Sequence, residues 1–122
     1  MRVLMKLVSA GLCLGGVLCA APGASPVKVT GWVLDSACAL TKDLSKPISR
    51  QCALACAKGG SPLVVMDDQG TIYLPISDAT PAISQNEKLL PLAGKRVSVS
   101  GKLYEKSGIK GIVIENIQAE SR

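Results

Sequence analysis

Five short runs of β-prone residues limit the folds open to this chain more than any other feature. Each run either alternates apolar and polar residues or is continuously β-prone, as strands with one or both faces buried do. In the fourth run Val97, Val99 and Leu103 share one face with Gly101. Gly31 lies inside the first run, and glycines in mid-strand suit the sharp coiling of a small barrel. The predicted strands cover residues 27–34, 63–66, 71–76, 95–104 and 109–117.

Two helices are predicted between these strands. The first follows strand 1, where Pro47 and Ser49 indicate its start and Gly59 its end. The second is a short helix that starts at Thr80-Pro81. A helix between the third and fourth of five strands is typical of an OB-like Greek-key barrel. The sequence therefore predicts a mainly β fold, a five-stranded OB-like Greek-key barrel, with an inserted cysteine-containing helix after strand 1 and a short helix between strands 3 and 4.

The first 25 residues have the composition of an export signal. Arg2 and Lys6 give a positively charged start, and residues 7–21 form an apolar or small run without charge that ends in alanines suited to cleavage. This run is shorter than the roughly 20 residues that a membrane-spanning helix needs. We therefore predict a signal peptide over 1–25, a domain over 26–122 that is periplasmic or secreted, and no membrane span after signal removal.

Charge and composition argue against several classes of function. The formal net charge is +5, but the basic residues are spread along the chain and only Lys95 and Arg96 are adjacent, so nucleic-acid binding is not predicted. The chain has no histidine, and it contains neither a phosphate-binding glycine loop nor a dinucleotide-binding motif. Because the commonest general base is missing, we predict a protein that is not an enzyme.

Three cysteines of the predicted domain form the candidate site. Cys52 and Cys56 are four residues apart and therefore share one face of the predicted helix. Thirteen residues separate Cys38 from Cys52, enough for the chain to return, so all three side chains can converge. Three cysteines cannot all pair internally, which leaves one thiol over in an exported protein.

This cluster has three interpretations. In the first, Cys38 forms a disulfide with Cys52 or Cys56, and the remaining cysteine packs as a small apolar residue. In the second, the three thiolates bind Cu(I) or Zn(II), with Asp35 as a fourth ligand for zinc. In the third, Cys52 or Cys56 is a redox-active thiol kept partly ionised by the helix dipole and Arg50. The disulfide is the main prediction, and it requires no cofactor.

Trp32 and Tyr73 are the candidate residues for a ligand surface. Trp32 lies on the face of strand 1 opposite the predicted core. We expect the inserted helix to cover it and to form a second small core with Leu54 and Ala57. If Trp32 is exposed instead, it forms with Tyr73 a stacking surface of the kind that OB-like barrels use for ligands.

Four segments carry a resemblance to a known group of proteins. They are residues 31–38 (GWVLDSAC), 52–56 (CALAC), 60–63 (GSPL) and 94–101 (GKRVSVSG). With these segments the chain resembles small exported bacterial domains that have an OB-like barrel and an uncharacterised function. The resemblance covers nearly the whole predicted domain, and it implies the fold and the compartment but no activity.

The main prediction is therefore an exported, non-catalytic binding or structural module with a cysteine-stapled barrel and an unidentified small-molecule or protein ligand. The alternative is a soft-metal or thiol-redox protein that uses Cys38, Cys52 and Cys56. Serine substitution distinguishes the two. A binding module keeps its function without Cys52 or Cys56, whereas a metal or redox protein loses it.

Overall fold

The computed structural model describes residues 23–42 and 48–121. The predicted signal peptide lies outside this range except for residues 23–25, and the first strand begins at Ser25, one residue before the predicted domain boundary. None of the helices in the described ranges is long and apolar enough to cross a membrane.

The described chain consists of five strands, three short helices and one 3₁₀ turn. All five predicted strands are present, and four of them extend beyond a predicted end. In chain order the elements are β1 (Ser25–Asp35), α1 (Ser36–Thr41), α2 (Arg50–Lys58), β2 (Leu63–Asp67), β3 (Ile72–Pro75), α3 (Asn86–Leu89), the 3₁₀ turn (Leu90–Leu92), β4 (Arg96–Lys106) and β5 (Ile109–Ala119).

The strands close into a barrel in the order β1-β2-β3-β5-β4, and β4 pairs back onto β1. Neighbouring strands are antiparallel except β3 and β5, which are parallel. This order, with a helix between β3 and β4, is that of an OB-like Greek-key barrel, so the predicted fold class is confirmed. The long strand β1 lies between β4 and β2: it pairs with β4 through residues 25–32 and with β2 through residues 31–35.

Two mid-strand glycines permit this closure, as the sequence predicts. Gly31 lies where β1 pairs with β2 and β4 at once, and a Cβ there would collide with the carbonyl of Met66. Gly101 lies at the β-bulge between β4 and β5, where a Cβ would collide with the carbonyl of Val113. A side chain at either position would force neighbouring strands apart.

Two apolar clusters lie on opposite faces of β1. The interior cluster fills the barrel with Val29 and Val33 of β1 and with buried residues of β2, β4, β5, α2 and α3. The outer cluster lies under α1, on the outside of β1 and β2. It consists of Leu34, Ala39, Val64 and Met66, with Trp32, Ile48 and Ile72 packed against it.

Trp32 is half-buried, but the prediction of what covers it was wrong. It packs against the outer cluster, to which α1 contributes Ala39. Leu54 and Ala57 of α2 belong to the interior cluster instead. The reason is the chain path: α1 follows β1 without a loop, so it is the first segment able to fold back over the outer face of β1.

Helix α1 was not predicted, because no helical pattern is visible over residues 36–41. It begins because the Asp35 carboxylate accepts a hydrogen bond from the N–H of Cys38 at 3.1 Å, the usual contact of an N-cap residue. The predicted start of the helix between β3 and β4 was also wrong. The helix between β3 and β4 is present but begins at Asn86 rather than at Thr80-Pro81.

Asn86 fixes that helix against β2, and its replacement by alanine is expected to lower the free energy of unfolding. Its side chain accepts a hydrogen bond from the N–H of Leu63 and donates one to the carbonyl of Ser61, both at 2.9 Å. Leu63 is 2% exposed, so its N–H has no access to water as a substitute partner. We expect a loss of about 2–4 kcal/mol in urea unfolding, because each buried group left unpaired costs about 1–3 kcal/mol.

Asn86→Asp is the matched control for this substitution. An aspartate keeps the acceptor for Leu63 but places an anionic oxygen against the carbonyl of Ser61, so the variant should be less stable than wild type at neutral pH and regain stability at acid pH, where the protonated carboxyl can donate again. An alanine variant as stable as wild type would contradict the role given to these two hydrogen bonds.

Candidate functional site

Cys38 is placed by the direct junction of β1 and α1. Asp35 is the last residue of β1 and the N-cap of α1, and its Oδ2 accepts the hydrogen bond from the N–H of Cys38. Cys38 is therefore the third residue of α1, and it is half-buried. The cap fixes the carboxylate and this cysteine relative to each other.

Helix α2 places the other two cysteines by the same kind of cap. Ser49 is the N-cap, and its Oγ accepts a hydrogen bond from the N–H of Cys52 at 3.2 Å. Cys56 lies one turn later on the same face of the helix. Cys52 is exposed and Cys56 is half-buried, so the two thiols occupy an outer and an inner position.

The three cysteine side chains converge, which confirms the predicted cluster. Their Sγ atoms all lie within 4.8 Å of one another. A metal with bonds of about 2.3 Å to sulfur holds its sulfur ligands about 3.8–4.0 Å apart, so a small inward movement would let the thiols share an ion. Within the described ranges, Cys38, Cys52 and Cys56 are all free thiols, and the disulfide of the main prediction is not formed there.

Asp35 lies beside this cluster and is only 1% exposed. Its Oδ2 also accepts a hydrogen bond from the hydroxyl of Ser61 at 3.4 Å, whereas Oδ1 is buried and has no hydrogen-bond partner in the described chain. Burial raises the pKa of Asp35, but hydrogen bonds from Cys38 and Ser61 outweigh burial and hold the pKa below its usual range. Asp35 is therefore an anion at neutral pH, and no described lysine or arginine forms an ion pair with it.

Burial and the Asp35 carboxylate both disfavour the thiolate forms of Cys38 and Cys56. Hydrogen bonding to Asp35, burial and the charge of the carboxylate together raise the pKa of Cys38 to about 12. Burial and the charge of Asp35 also raise the pKa of Cys56. The thiolate is the reactive form of cysteine, so Cys38 and Cys56 are poor nucleophiles at neutral pH until a cation displaces their protons.

Arg50 binds backbone carbonyls next to the start of α2. Its guanidinium donates hydrogen bonds to the carbonyl oxygens of Ala93 at 2.6 Å and Pro91 at 3.3 Å. These carbonyls precede β4, so Arg50 anchors the start of α2 to the barrel, and its effect on a thiol stays a prediction.

Ser61 connects the two cysteine-bearing helices, and the sequence analysis did not identify it. Its N–H donates a hydrogen bond to the carbonyl of Cys56 at 3.0 Å, and its hydroxyl donates to Oδ2 of Asp35. The end of α2 is thus tied to the N-cap of α1, which fixes Cys56 relative to Asp35. A serine after two glycines indicates only a turn, so no local pattern points to this role.

Gly94 is required where the start of α2 packs against the segment before β4. Its φ is +73°, and a Cβ there would lie 2.6 Å from the Cα of Arg50. We expect Gly94→Ala to lower the free energy of unfolding by about 2–3 kcal/mol, because left-handed backbone strain costs about 1–2 kcal/mol and α2 must also move. Thermal unfolding measures this loss.

Gly70→Ala separates the two contributions. Gly70 has a φ of +83° and open space around it, so its substitution reports backbone strain alone. Equal losses for the two variants would show that the contact between Gly94 and Arg50 does not matter.

Trp32 and Tyr73 do not form a common surface. Trp32 lines a pocket of about 450 Å³, and the Arg96 guanidinium lies 5.9 Å from its ring centre. Arg96 is itself held by Asp68 at 2.7 Å and by Glu120 at 2.9 Å. Tyr73 packs against the interior cluster and lines a separate pocket of about 270 Å³. The two aromatic residues therefore lie at different places, and a small-molecule or protein ligand stays a prediction.

No protein-family model, curated protein or solved structure matches this chain. The barrel agrees with the fold that the sequence resemblance implies, but no family is identified. Function has to be inferred from the chemistry of the chain's own residues.

Proposed function

We propose that this protein is an exported, non-catalytic metal-binding module in which Cys38, Cys52 and Cys56 together bind one soft or borderline metal ion. The observation that carries the proposal is the convergence of three sulfur atoms, all within 4.8 Å of one another, beside a buried carboxylate. Thiolates are ligands that suit Cu(I) and Zn(II). The chain has no histidine, so sulfur and oxygen are the ligand types that it can offer.

The charges around the cluster also favour a cation. Asp35 is a buried anion with no ion-pair partner among the described residues, and a buried charge is costly unless a counter-charge compensates it. A metal ion supplies that positive charge. It also displaces the protons of Cys38 and Cys56, which converts these thiols into thiolate ligands.

The exposure of the three cysteines suits the uptake of an ion from solution. Cys52 is exposed, whereas Cys38 and Cys56 are half-buried. An ion can therefore contact Cys52 first and then be enclosed by the other two. The ligands lie on α1 and α2, which are inserted between β1 and β2, so the barrel acts as a rigid support for the site.

Mass spectrometry tests this proposal on the protein cut of its signal, purified without reductant or chelator and supplied with Zn(II) or Cu(I). We expect one metal ion per chain under native conditions and, after denaturation, the full mass of a chain with three thiols. A mass short of two hydrogens under both conditions, with one alkylatable thiol, would contradict the proposal and establish the disulfide-stapled module. Three alkylatable thiols without any metal adduct would contradict it as well.

A further inference from the structure

We infer that the bound ion is a divalent cation of the Zn(II) class and that Oδ1 of Asp35 is its fourth ligand. This inference rests on the proposed three-cysteine site and adds the metal class and the coordination number. Asp35 then has two roles: it caps α1 through Oδ2, and through Oδ1 it completes a tetrahedral site of three sulfur atoms and one oxygen atom.

The two carboxylate oxygens of Asp35 have different surroundings. Oδ2 accepts hydrogen bonds from the N–H of Cys38 at 3.1 Å and the hydroxyl of Ser61 at 3.4 Å, whereas Oδ1 is buried and has no partner among residues 23–42 and 48–121. Buried polar atoms nearly always have a partner, so this oxygen points to a ligand at that position. Carboxylates that bind a metal are commonly oriented by further hydrogen bonds, and those at Oδ2 are of this kind.

The carboxylate is also tied to two of the cysteine-bearing segments. Its Oδ2 accepts the N-cap hydrogen bond from Cys38, and it accepts one from the hydroxyl of Ser61, whose N–H binds the carbonyl of Cys56. Asp35 is buried and these two cysteines are half-buried, while Cys52 is exposed. Asp35 is not one of the ligand atoms grouped within 4.8 Å, so its Oδ1 can bind only an ion that lies on the inner side of the three sulfur atoms.

Charge balance favours a divalent ion over a monovalent one. Three thiolates and one carboxylate are all negative, and no described lysine or arginine forms an ion pair with Asp35. Cu(I) would leave one more negative charge uncompensated than Zn(II) does. Because removing net charge from water is expensive, the buried side of this site disfavours the monovalent ion.

The number of available ligands leads to the same choice. Cu(I) bound by three sulfur atoms in a plane uses no fourth ligand, so Oδ1 would stay without a partner. Zn(II) takes four ligands in a tetrahedron, with bonds of about 2.3 Å to sulfur and about 2.0–2.2 Å to carboxylate oxygen. The three cysteines and Asp35 supply that number.

Asp35→Asn tests the fourth ligand. An asparagine oxygen can still cap α1, but the amide nitrogen at the position of Oδ1 cannot bind a metal. We expect Zn(II) affinity to fall by at least about 100-fold, since even changes in the residues around the ligands cost about 10–100-fold. Cu(I) affinity should change much less, because Cu(I) loses the nearby charge of Asp35 but no ligand. With Co(II), the thiolate-to-cobalt charge-transfer absorption should remain, while the visible bands of tetrahedral Co(II) should change.

Asp78→Asn is the matched control, because it removes the same charge from an exposed residue whose partner is Lys102. If Asp35→Asn does not fold, Asp35→Ser repeats the test with another good N-cap residue. Equal Zn(II) affinity and equal Co(II) spectra in wild type and the Asp35 variant would overturn the fourth ligand and leave the three-cysteine site standing. A wild-type protein that binds none of Zn(II), Co(II) and Cu(I) would overturn the proposed function and the fourth ligand together.

Discussion

Serine in place of Cys38, Cys52 or Cys56 is expected to lower the affinity of this protein for Zn(II) by at least about 60-fold. Structural zinc sites bind with about 10–16 kcal/mol, so each of four ligands contributes about 2.5–4 kcal/mol. A factor of ten corresponds to about 1.4 kcal/mol. A serine hydroxyl stays protonated at neutral pH and is a poor ligand for a metal that prefers sulfur. Competition with a chelator of known affinity measures the loss for each variant.

Ala55→Ser is the control for these substitutions. Ala55 is exposed on α2 between two of the cysteines, so the change adds a hydroxyl without removing a sulfur atom. Its Zn(II) affinity should equal that of wild type. Cys52→Ser is the most decisive of the three variants, because Cys52 is exposed and its replacement disturbs packing least. Wild-type affinity in any cysteine variant would show that this cysteine is not a ligand.

Metal loading is expected to raise the free energy of unfolding by about 4 kcal/mol when the free ion is at about 1,000 times its Kd. For a domain of about 100 residues this corresponds to a rise in Tm of more than about 15 °C. The ion would join α1 and α2, which have six and nine residues and are too short to be stable alone. Thermal unfolding with Zn(II) and then with excess chelator measures the difference.

The variant with all three cysteines replaced by serine shows whether this stabilisation comes from the site. Its Tm should be the same with and without Zn(II). An equal rise in Tm in the variant and in wild type would show that Zn(II) binds elsewhere. A wild-type Tm that is the same with and without Zn(II) would contradict a structural role for the metal.

The barrel could be predicted because its signals are local. Strand β4 alternates buried and half-buried residues over its first half, which is the period-two pattern visible in the sequence. Gly31 and Gly101 mark the points where neighbouring strands approach most closely. Helix α1 was missed because six residues are too few to show a helical period, and only the spacing of Asp35 and Cys38 marks its start.

The candidate site could be predicted only where its signals are also local. The spacing of Cys52 and Cys56 and the length of the loop after Cys38 were enough to expect convergence. The burial of Asp35 could not be predicted, since it depends on contacts such as that with Ser61, 26 residues later. The anchoring role of Arg50 could not be predicted for the same reason, because its carbonyl partners lie 41 and 43 residues further along the chain.

X-ray absorption spectroscopy of the wild-type protein loaded with Zn(II) tests the central claim most directly, because it identifies the atoms bound to the metal. The proposed site predicts three sulfur atoms at about 2.3 Å and one oxygen atom at about 2.0–2.2 Å. A first shell of oxygen or nitrogen alone, or one with fewer than three sulfur atoms, would contradict a metal site formed by Cys38, Cys52 and Cys56.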